Sequence, residues 1–390
     1  MVLPLTYNLR NTIVRWRATL ATVLGVALVV WVFVLMQSLA VGLEKCSGNT
    51  GDPRNILIVR QGSTAESSSI VTREQFKNIT YLPQIERDAA GQPLVSADLI
   101  VLISLPRRDG SGEANVLLRG VSPMGPALRP HVQLVAGRWF VPGKREVVVS
   151  RKFAARFANF ELGGKFKSSG SELNVVGWLD GGNSAFDSEA WMDADEARKL
   201  FDRDDYCSVL ARVSNPAAAQ ALIARVEADK RLPLNALPET KYYSAQTQTA
   251  KPIKFLGYFL ATAMSIGAIF SGMNTMYASI GARTREIGTL RVLGYRRRAI
   301  LVGFLIEGVL LALIGGLIGC ALSPLTIAVL GSSAGTMNFD TFSETVFQFR
   351  ITPALVAKGL FFAAIMGLAG SLLPALRAAR LPVIASLRSV

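Results

Sequence analysis

Residues 273–295 read MNTMYASIGARTREIGTLRVLGY. Up to Ala282 the run is uncharged, and at Arg283 it crosses into arginine. Ile287, Leu290 and Leu293 still recur there at helical spacing, among Arg283, Arg285, Glu286 and Arg291. A membrane helix has this form where it runs into a short amphipathic helix lying on the cytoplasmic side. Two settings account for the apolar stripe. Either the helix rests on anionic headgroups, or it enters a groove on a cytoplasmic partner, with Glu286 and the arginines fixing its register.

Working outward, the uncharged part extends back to Phe255, and a second uncharged stretch covers 18–43. Each exceeds the roughly 20 residues a helix needs to cross the hydrocarbon core. At about 1.5 Å per residue the 18–43 stretch is about 39 Å long, so one end is expected to project as a stalk. Two further spans, 299–330 and from 355 to about 376, contain one ionisable residue each, Glu307 and Lys358. Pro324 is expected to end or kink the third span, because proline removes a backbone donor and crowds the preceding turn. Ala40 and Gly42 are spaced like a signal-peptide cleavage site, but the apolar stretch is long for a signal core and the later spans need an even partner. The first span is therefore expected to be retained.

A net charge of +14 raises the question of nucleic acid. Arg10, Arg15 and Arg17 precede the first span; Arg283, Arg285, Arg291, Arg296, Arg297 and Arg298 lie between the second and third; Arg377, Arg380 and Arg388 follow the fourth. These twelve basic residues face one acid, Glu286, and account for eleven of the fourteen charges. The pattern is positive-inside, with both termini and the central loop cytoplasmic, and it leaves no basic footprint for nucleic acid.

Between the first two spans lie about 200 residues, enough for a compact domain. Short apolar runs at 56–59, 99–103, 116–118, 147–149 and 173–176 read as strands. The Asp-Gly and Ser-Gly pairs of 107–112 make a hairpin of the second and third. Helices are expected at 72–77, 151–158, 194–201 with Asp193 as cap, and 216–228 with Asn215 as cap and Pro216 in the first turn. Strands and helices do not alternate regularly, which indicates α+β. The polar stretch 243–252 reads as a linker re-entering the membrane.

The expected organisation is thus a cytoplasmic segment 1–17, transmembrane helix 1 with its stalk 18–43, an extracytoplasmic α+β domain 44–252, helix 2 at 253–281, a cytoplasmic loop 282–298, helix 3 at 299–330, an extracytoplasmic loop 331–353, helix 4 at 354–376 and a cytoplasmic tail 377–390.

No catalytic constellation stands out, so the chain is expected to be non-enzymatic. The single histidine, His131, lies in a proline-rich loop, no Cys/His spacing suits zinc, and no Gly-x-x-x-x-Gly-Lys-Ser/Thr loop cradles a nucleotide. Any ATP hydrolysis therefore falls to another polypeptide. Cys46 and Cys207 both lie in the external segment, either as a disulfide or as two thiols; Cys320 reads as a packing residue. Glu307 is either an intramembrane polar contact that holds or switches helix packing, or a carboxylate near the cytoplasmic end paired with an arginine. Gly315, Gly316 and Gly319 form a small-residue pattern suited to tight helix packing.

At these residues the chain resembles the permease subunits of the MacB/FtsX class of ABC transporters. The likeness starts at Leu9-Arg10-Asn11 and Arg17-Ala18-Thr19-Leu20, with Leu24-Gly25-Val26-Ala27, and continues at Gly137-Arg138-Trp139-Phe140 and Leu162-Gly163-Gly164-Lys165. Its most specific part is 273–276 through 283–288 and Leu293-Gly294, then Phe304-Leu305-Ile306-Glu307 and 315–319; the tail 374–380 with Pro382 is similar to the family's ending. Ala282, Val292 and Tyr295 depart from the usual residues. The resemblance implies four membrane helices, an external domain with a core and a smaller inserted part, and a homodimer whose copies each engage a separate cytoplasmic ATPase that binds ATP and Mg. It implies Arg283, Arg285, Glu286, Ile287, Leu290 and Arg291 as the ATPase-coupling positions, in a bacterial inner-membrane protein working by mechanotransmission on hydrophobic or periplasmic cargo. A periplasmic adaptor and an outer-membrane duct are further partners in one such setting. The alternative is an FtsX-like regulator that activates an extracytoplasmic cell-wall hydrolase without transport.

Overall fold

The computed structural model describes residues 16–110, 112–229, 233–246, 250–329, 335–338, 344–347 and 349–382. Residues 1–15 with Arg10 and Arg15, 247–249 of the linker, much of the loop 331–353, and 383–390 with Arg388 lie outside the described residues.

The described residues open with helix α1 (Trp16–Gly48). The chain continues through β1 (Asn55–Arg60), α2 (Arg73–Thr80), β2 (Val95–Pro106), β3 (Glu113–Val121), β4 (Gln133–Gly137), β5 (Glu146–Ser150), α3 (Arg151–Arg156), β6 (Lys165–Ser168) and β7 (Ser171–Asp180). Then come β8 (Glu189–Asp193), α4 (Ala194–Leu200), β9 (Ser208–Arg212), α5 (Pro216–Ala228), β10 (Leu234–Pro238) and α6 (Glu239–Gln246). The chain ends with α7 (Ala250–Ala282), α8 (Thr284–Val292), α9 (Arg297–Val329), the hairpin β11 (Gly335–Asn338) and β12 (Glu344–Phe347), and α10 (Pro353–Ala379). Two compact units result: 1–41 with 251–333 and 349–390, and 42–250 with 334–348.

In the first unit, α1, α7, α9 and α10 each have the length and apolar composition of a transmembrane helix. Glycines set how closely they pack. A Cβ placed on Gly316 would lie 2.8 Å from Ala363 Cβ, one on Gly315 2.7 Å from the Val23 carbonyl oxygen, and one on Gly319 2.5 Å from that of Ala27. Gly315 and Gly319 thus admit α1 against α9, while Gly316 admits α10. Pro324 does not end α9, which runs on to Val329. The hydroxyls of Ser323 and Thr326, flanking the proline, bond the carbonyls of Gly319 and Leu322 in the same helix. α7 is the least covered helix, and Phe255, Phe259, Ile266 and Phe270 stand on its open side.

The second unit is an α+β extracytoplasmic domain built on one mixed sheet of ten strands, in the order β10-β1-β9-β2-β3-β8-β5-β7-β4, with β6 on β7. The pairs β3–β8 and β5–β7 are parallel and the rest antiparallel. Ile56 and Ile58 point into one core with Leu222 and Val226 of α5, while Leu57 and Val59 point into another with Phe186, Trp191, Tyr242 and Tyr243. Side chains alternate across a strand, so a strand covered on both faces reads as an unbroken apolar run. A third core gathers Phe153, Phe157, Phe160 and Phe166 beneath β2, β3, β5 and β7. The capping residues act as their types dictate: Asn215 accepts from the Ala218 amide at 2.8 Å and Asp193 from that of Glu196 at 3.2 Å.

Residues 243–246 and 250–252 of the expected linker are helical. α6 runs to Gln246, Tyr242 and Tyr243 are buried, and their rings meet edge to face at 5.1 Å. Those rings provide the apolar anchor that a count of polar residues hides.

Beneath them lies a buried charge network. Arg119 donates to Glu189 at 2.7 Å, to Glu66 at 3.1 Å and to Asp98 at 3.2 Å. Arg129 donates to Asp98 at 2.6 Å, and its Nε faces Glu239 Oε1 at 3.8 Å. The Arg129 guanidinium also stands over the rings of Phe186 at 5.1 Å and Trp191 at 5.5 Å. Two arginines thus face four carboxylates, all buried. Burial opposes charge on Arg119, yet Glu189 and Glu66 hold its guanidinium well above the usual arginine range. Burial pushes the Glu239 carboxyl up to about 6, against Arg129 and two hydrogen bonds.

Candidate functional site

α7 ends at Ala282, and α8 starts one residue later. The residue at the break, Arg283, leaves helical geometry (φ −109°, ψ 12°) and turns inward. Its Nη1 donates to Glu307 of α9 at 3.2 Å, its Nε pairs with Glu286 at 3.4 Å, and its guanidinium lies 5.2 Å from the centre of the Phe304 ring. Arg283 and Glu307 are both buried. Glu307 is thus the carboxylate of an intrachain ion pair. Removing either partner would leave a buried charge, at a cost of about 3–5 kcal/mol.

The inward face of α8 is completed by Ile287, which packs with Met276, Ile280, Ile300, Phe304 and Ala378. The far end closes on Gly294. With φ +92° it lets its own amide reach Arg291 O at 3.2 Å and the Tyr295 amide reach Leu290 O at 3.1 Å. This is the left-handed terminus that glycine admits without strain, and it accounts for the Leu293-Gly294 pair.

The six expected coupling positions therefore divide. Arg283 and Ile287 are buried in this chain, Leu290 and Arg291 are half-buried, and Arg285 and Glu286 are exposed. The apolar stripe is corrected too: Ile287 faces inward, whereas Leu293, past the last helical residue, is 68% exposed beside Val292 at 61%. Helical spacing put Leu293 on the stripe because the pattern carries no mark of where the helix stops. Arg296, Arg297 and Arg298 are exposed next in sequence. α8 is thus anchored on one side by an ion pair and one isoleucine, and presents on the other a mixed rim of Arg285, Glu286, Val292 and Leu293.

The remaining candidates lie apart from this helix. Gly315, Gly316 and Gly319 serve helix packing, as described. Cys46 and Cys207 stand as thiols, not as a disulfide. Cys207 faces the phenylalanine-rich core, with its sulfur 3.3 Å from the Ile100 amide, and Cys46 belongs to the last turns of α1. Burial raises the Cys207 thiol pKa. Among the described residues no group of three or more His, Cys, Asp or Glu could hold a metal ion. At Gly137-Arg138-Trp139-Phe140, Arg138 grips Glu146 through two bonds of 2.6 and 2.7 Å, which with an amide from Val141 bring that carboxyl down to about 2.

The family description "MacB-like periplasmic core domain" matches residues 19–229, and "FtsX-like permease C-terminal" matches 258–383. Among curated relatives, the ABC transporter permease YknZ of Bacillus subtilis (strain 168) is 29% identical over 263 residues, covering 64% of this chain and 63% of its own length. A macrolide export ATP-binding/permease protein MacB of Chlorobium luteolum (strain DSM 273 / BCRC 81028 / 2530) is 27% identical, covering 95% of this chain and 57% of its own length. The matches thus span less than two thirds of either relative. The solved extracellular domain of YknZ from Gram-positive bacteria aligns with 47% of this chain and 99% of its own, at 17% identity and a TM-score of 0.37.

Proposed function

Since the chain belongs to the MacB/FtsX family of ABC transporter permeases, we propose that it is the non-catalytic membrane subunit of an ATP-driven complex in which a cytoplasmic ABC ATPase docks on α8. ATP and Mg are bound by that partner. Closure of the ATPase moves α8, and the helices carry the motion to the extracytoplasmic domain, which handles hydrophobic or periplasmic cargo. MacB relatives are named for macrolide export, a cargo of that class.

The observation that carries this reading is the Arg283–Glu307 pair. A helix resting on headgroups needs no buried bond to a neighbouring span, whereas a helix that receives load does, because load on α8 then passes into α9 as well as α7. The exposed rim supplies the docking chemistry, with charges for register and two apolar side chains for burial. Charge asymmetry supports an inner-membrane orientation with both termini cytoplasmic. The open aromatic side of α7 supports a second copy as neighbour, making a homodimer. A periplasmic adaptor and an outer-membrane duct belong to the same reading.

Glu286→Lys tests it in the full chain, purified from native membranes with its ATPase. The side chain is about half exposed, so the fold should persist while ATPase association falls by roughly tenfold or more, the scale of a reversed interfacial charge. Unchanged association would refute docking at α8, and tighter binding to anionic vesicles alone would favour the headgroup setting.

A further inference from the structure

Two segments of the extracytoplasmic domain lead by sequence to membrane helices: residues 49–55, which follow α1, and α6, which precedes α7. They meet at one carboxylate. Glu239, the first residue of α6, accepts from the Asp52 amide at 2.9 Å and from Asn55 Nδ2 at 2.9 Å, both on Oε2. Its Oε1 faces Arg129, which links it through Asp98 to Arg119 and the rest of the buried network.

Backbone packing repeats the join. A Cβ placed on Gly51 would lie 2.7 Å from the Thr240 nitrogen and 2.9 Å from its Cα, so the two segments touch with no room for a side chain. The strands they enter are neighbours, with Ile56 opposite Pro238 in the β1–β10 pair. Asn55 is shared further, since its Oδ1 accepts from Arg212 at 3.1 Å and Arg212 also reaches Asp52 at 3.2 Å. On the α1 side, Thr50 Oγ1 donates to Cys46 O at 2.8 Å and accepts from the Ala185 amide at 2.9 Å.

We propose that Glu239 is a positioning residue for force transmission: it clasps the segment after α1 to the start of α6, so that both membrane connections move the sheet as one body. This rests on the mechanotransmission reading above. A domain held only by its hydrophobic cores would keep its fold while its two connections slid independently. The two hydrogen bonds on Glu239 Oε2 and the ion pair on its Oε1 restrict that freedom across the join, because packed polar networks hold discrete arrangements. The cores around Leu222 and around Phe153 lie in other clusters, so loss of the clasp and loss of the fold are separable events.

The test uses the full chain with its ATPase in lipid nanodiscs, read by hydrogen–deuterium exchange with and without ATP plus vanadate. In the wild-type protein the nucleotide should change exchange in 49–55, β1, β10 and α6 together. Glu239→Ala should keep ATPase association and basal hydrolysis but lose the nucleotide-dependent change in β1 and β10 by about fivefold or more, a typical coupling between sites. Glu239→Gln, which keeps an acceptor oxygen, should restore it. Intrinsic tryptophan emission reports that the domain is folded. If Glu239→Ala does not fold, Gly51→Ala drives a methyl into the Thr240 backbone without altering charge and should give the same loss. A full nucleotide response in folded Glu239→Ala or Gly51→Ala overturns the proposal, as does unfolding of both, which would make the clasp a matter of stability alone. No nucleotide response in the wild-type protein would instead strike the mechanotransmission reading itself.

Discussion

Both units bury an arginine, and they surround it differently. In the membrane unit Arg283 stands at a helix break with Glu307 and Glu286, its side chain covered by the Phe304 ring. In the extracytoplasmic domain Arg119 is held by three carboxylates from three chain segments, and Asp98 passes the network on to Arg129. The first arrangement is a joint: a buried ion pair and Ile287 tie a short helix to its neighbours while Arg285, Glu286, Val292 and Leu293 stay exposed. The second is a keystone, because removing Arg119 leaves three buried carboxylates without their shared partner. Buried ion pairs are costly to form and costlier to break, so their placement tells where each unit must hold its shape.

Methionine at each position sharpens the contrast. Arg119→Met leaves Glu66, Asp98 and Glu189 facing one another, and the penalty should exceed about 5 kcal/mol, comparable with the stability of a whole domain. The extracytoplasmic domain should become protease-sensitive in the purified full chain. Arg283→Met leaves one buried carboxylate, Glu307, instead of three, so the cost should stay near about 3 kcal/mol. Limited proteolysis should then cut around α8 while the domain remains protected. Equal sensitivity of the domain to both changes would erase the distinction between joint and keystone.

A smaller effect separates two carboxylates within the domain. Glu239 has its pKa raised from 4.5 to about 6. The stability it contributes is therefore fully present below about pH 4.5 and is lost as pH rises through about 6. Glu146 is lowered from 4.5 to about 2, so its contribution is present above about pH 4.5 and is lost as pH falls through about 2. Thermal unfolding of the full chain should show Glu239→Gln costing less at pH 7 than at pH 5, by roughly 1 kcal/mol, since part of the shift is already spent at pH 5. A cost that does not vary with pH would mean that Glu239 is charged throughout.

Much of this architecture is legible in the residue order. The uncharged runs mark the spans, Asn215-Pro216 opens α5, and the Asp-Gly turn joins β2 to β3. The network was not legible. Glu66, Asp98, Arg119, Arg129, Glu189 and Glu239 are scattered over more than 170 residues, and each reads locally as a solvated charge. Only the folded sheet brings them together. β8 and β9 were missed because Trp191 with Met192 and Val209 with Leu210 form short apolar runs flanked by charge. At α8 the periodicity identified the helix but not its inner face, since burial of Arg283 depends on Glu307, 24 residues away.

The central claim is that load enters at α8 and is delivered on the opposite side of the membrane. Side-specific labelling of sealed cells tests it directly, using Leu293→Cys and Leu162→Cys variants and a membrane-impermeant maleimide; both leucines are exposed. The account predicts that position 162 reacts in intact cells and position 293 only after the membrane is permeabilised. Reaction of both positions in intact cells, or of neither, would place the helix and the domain on one face and contradict it.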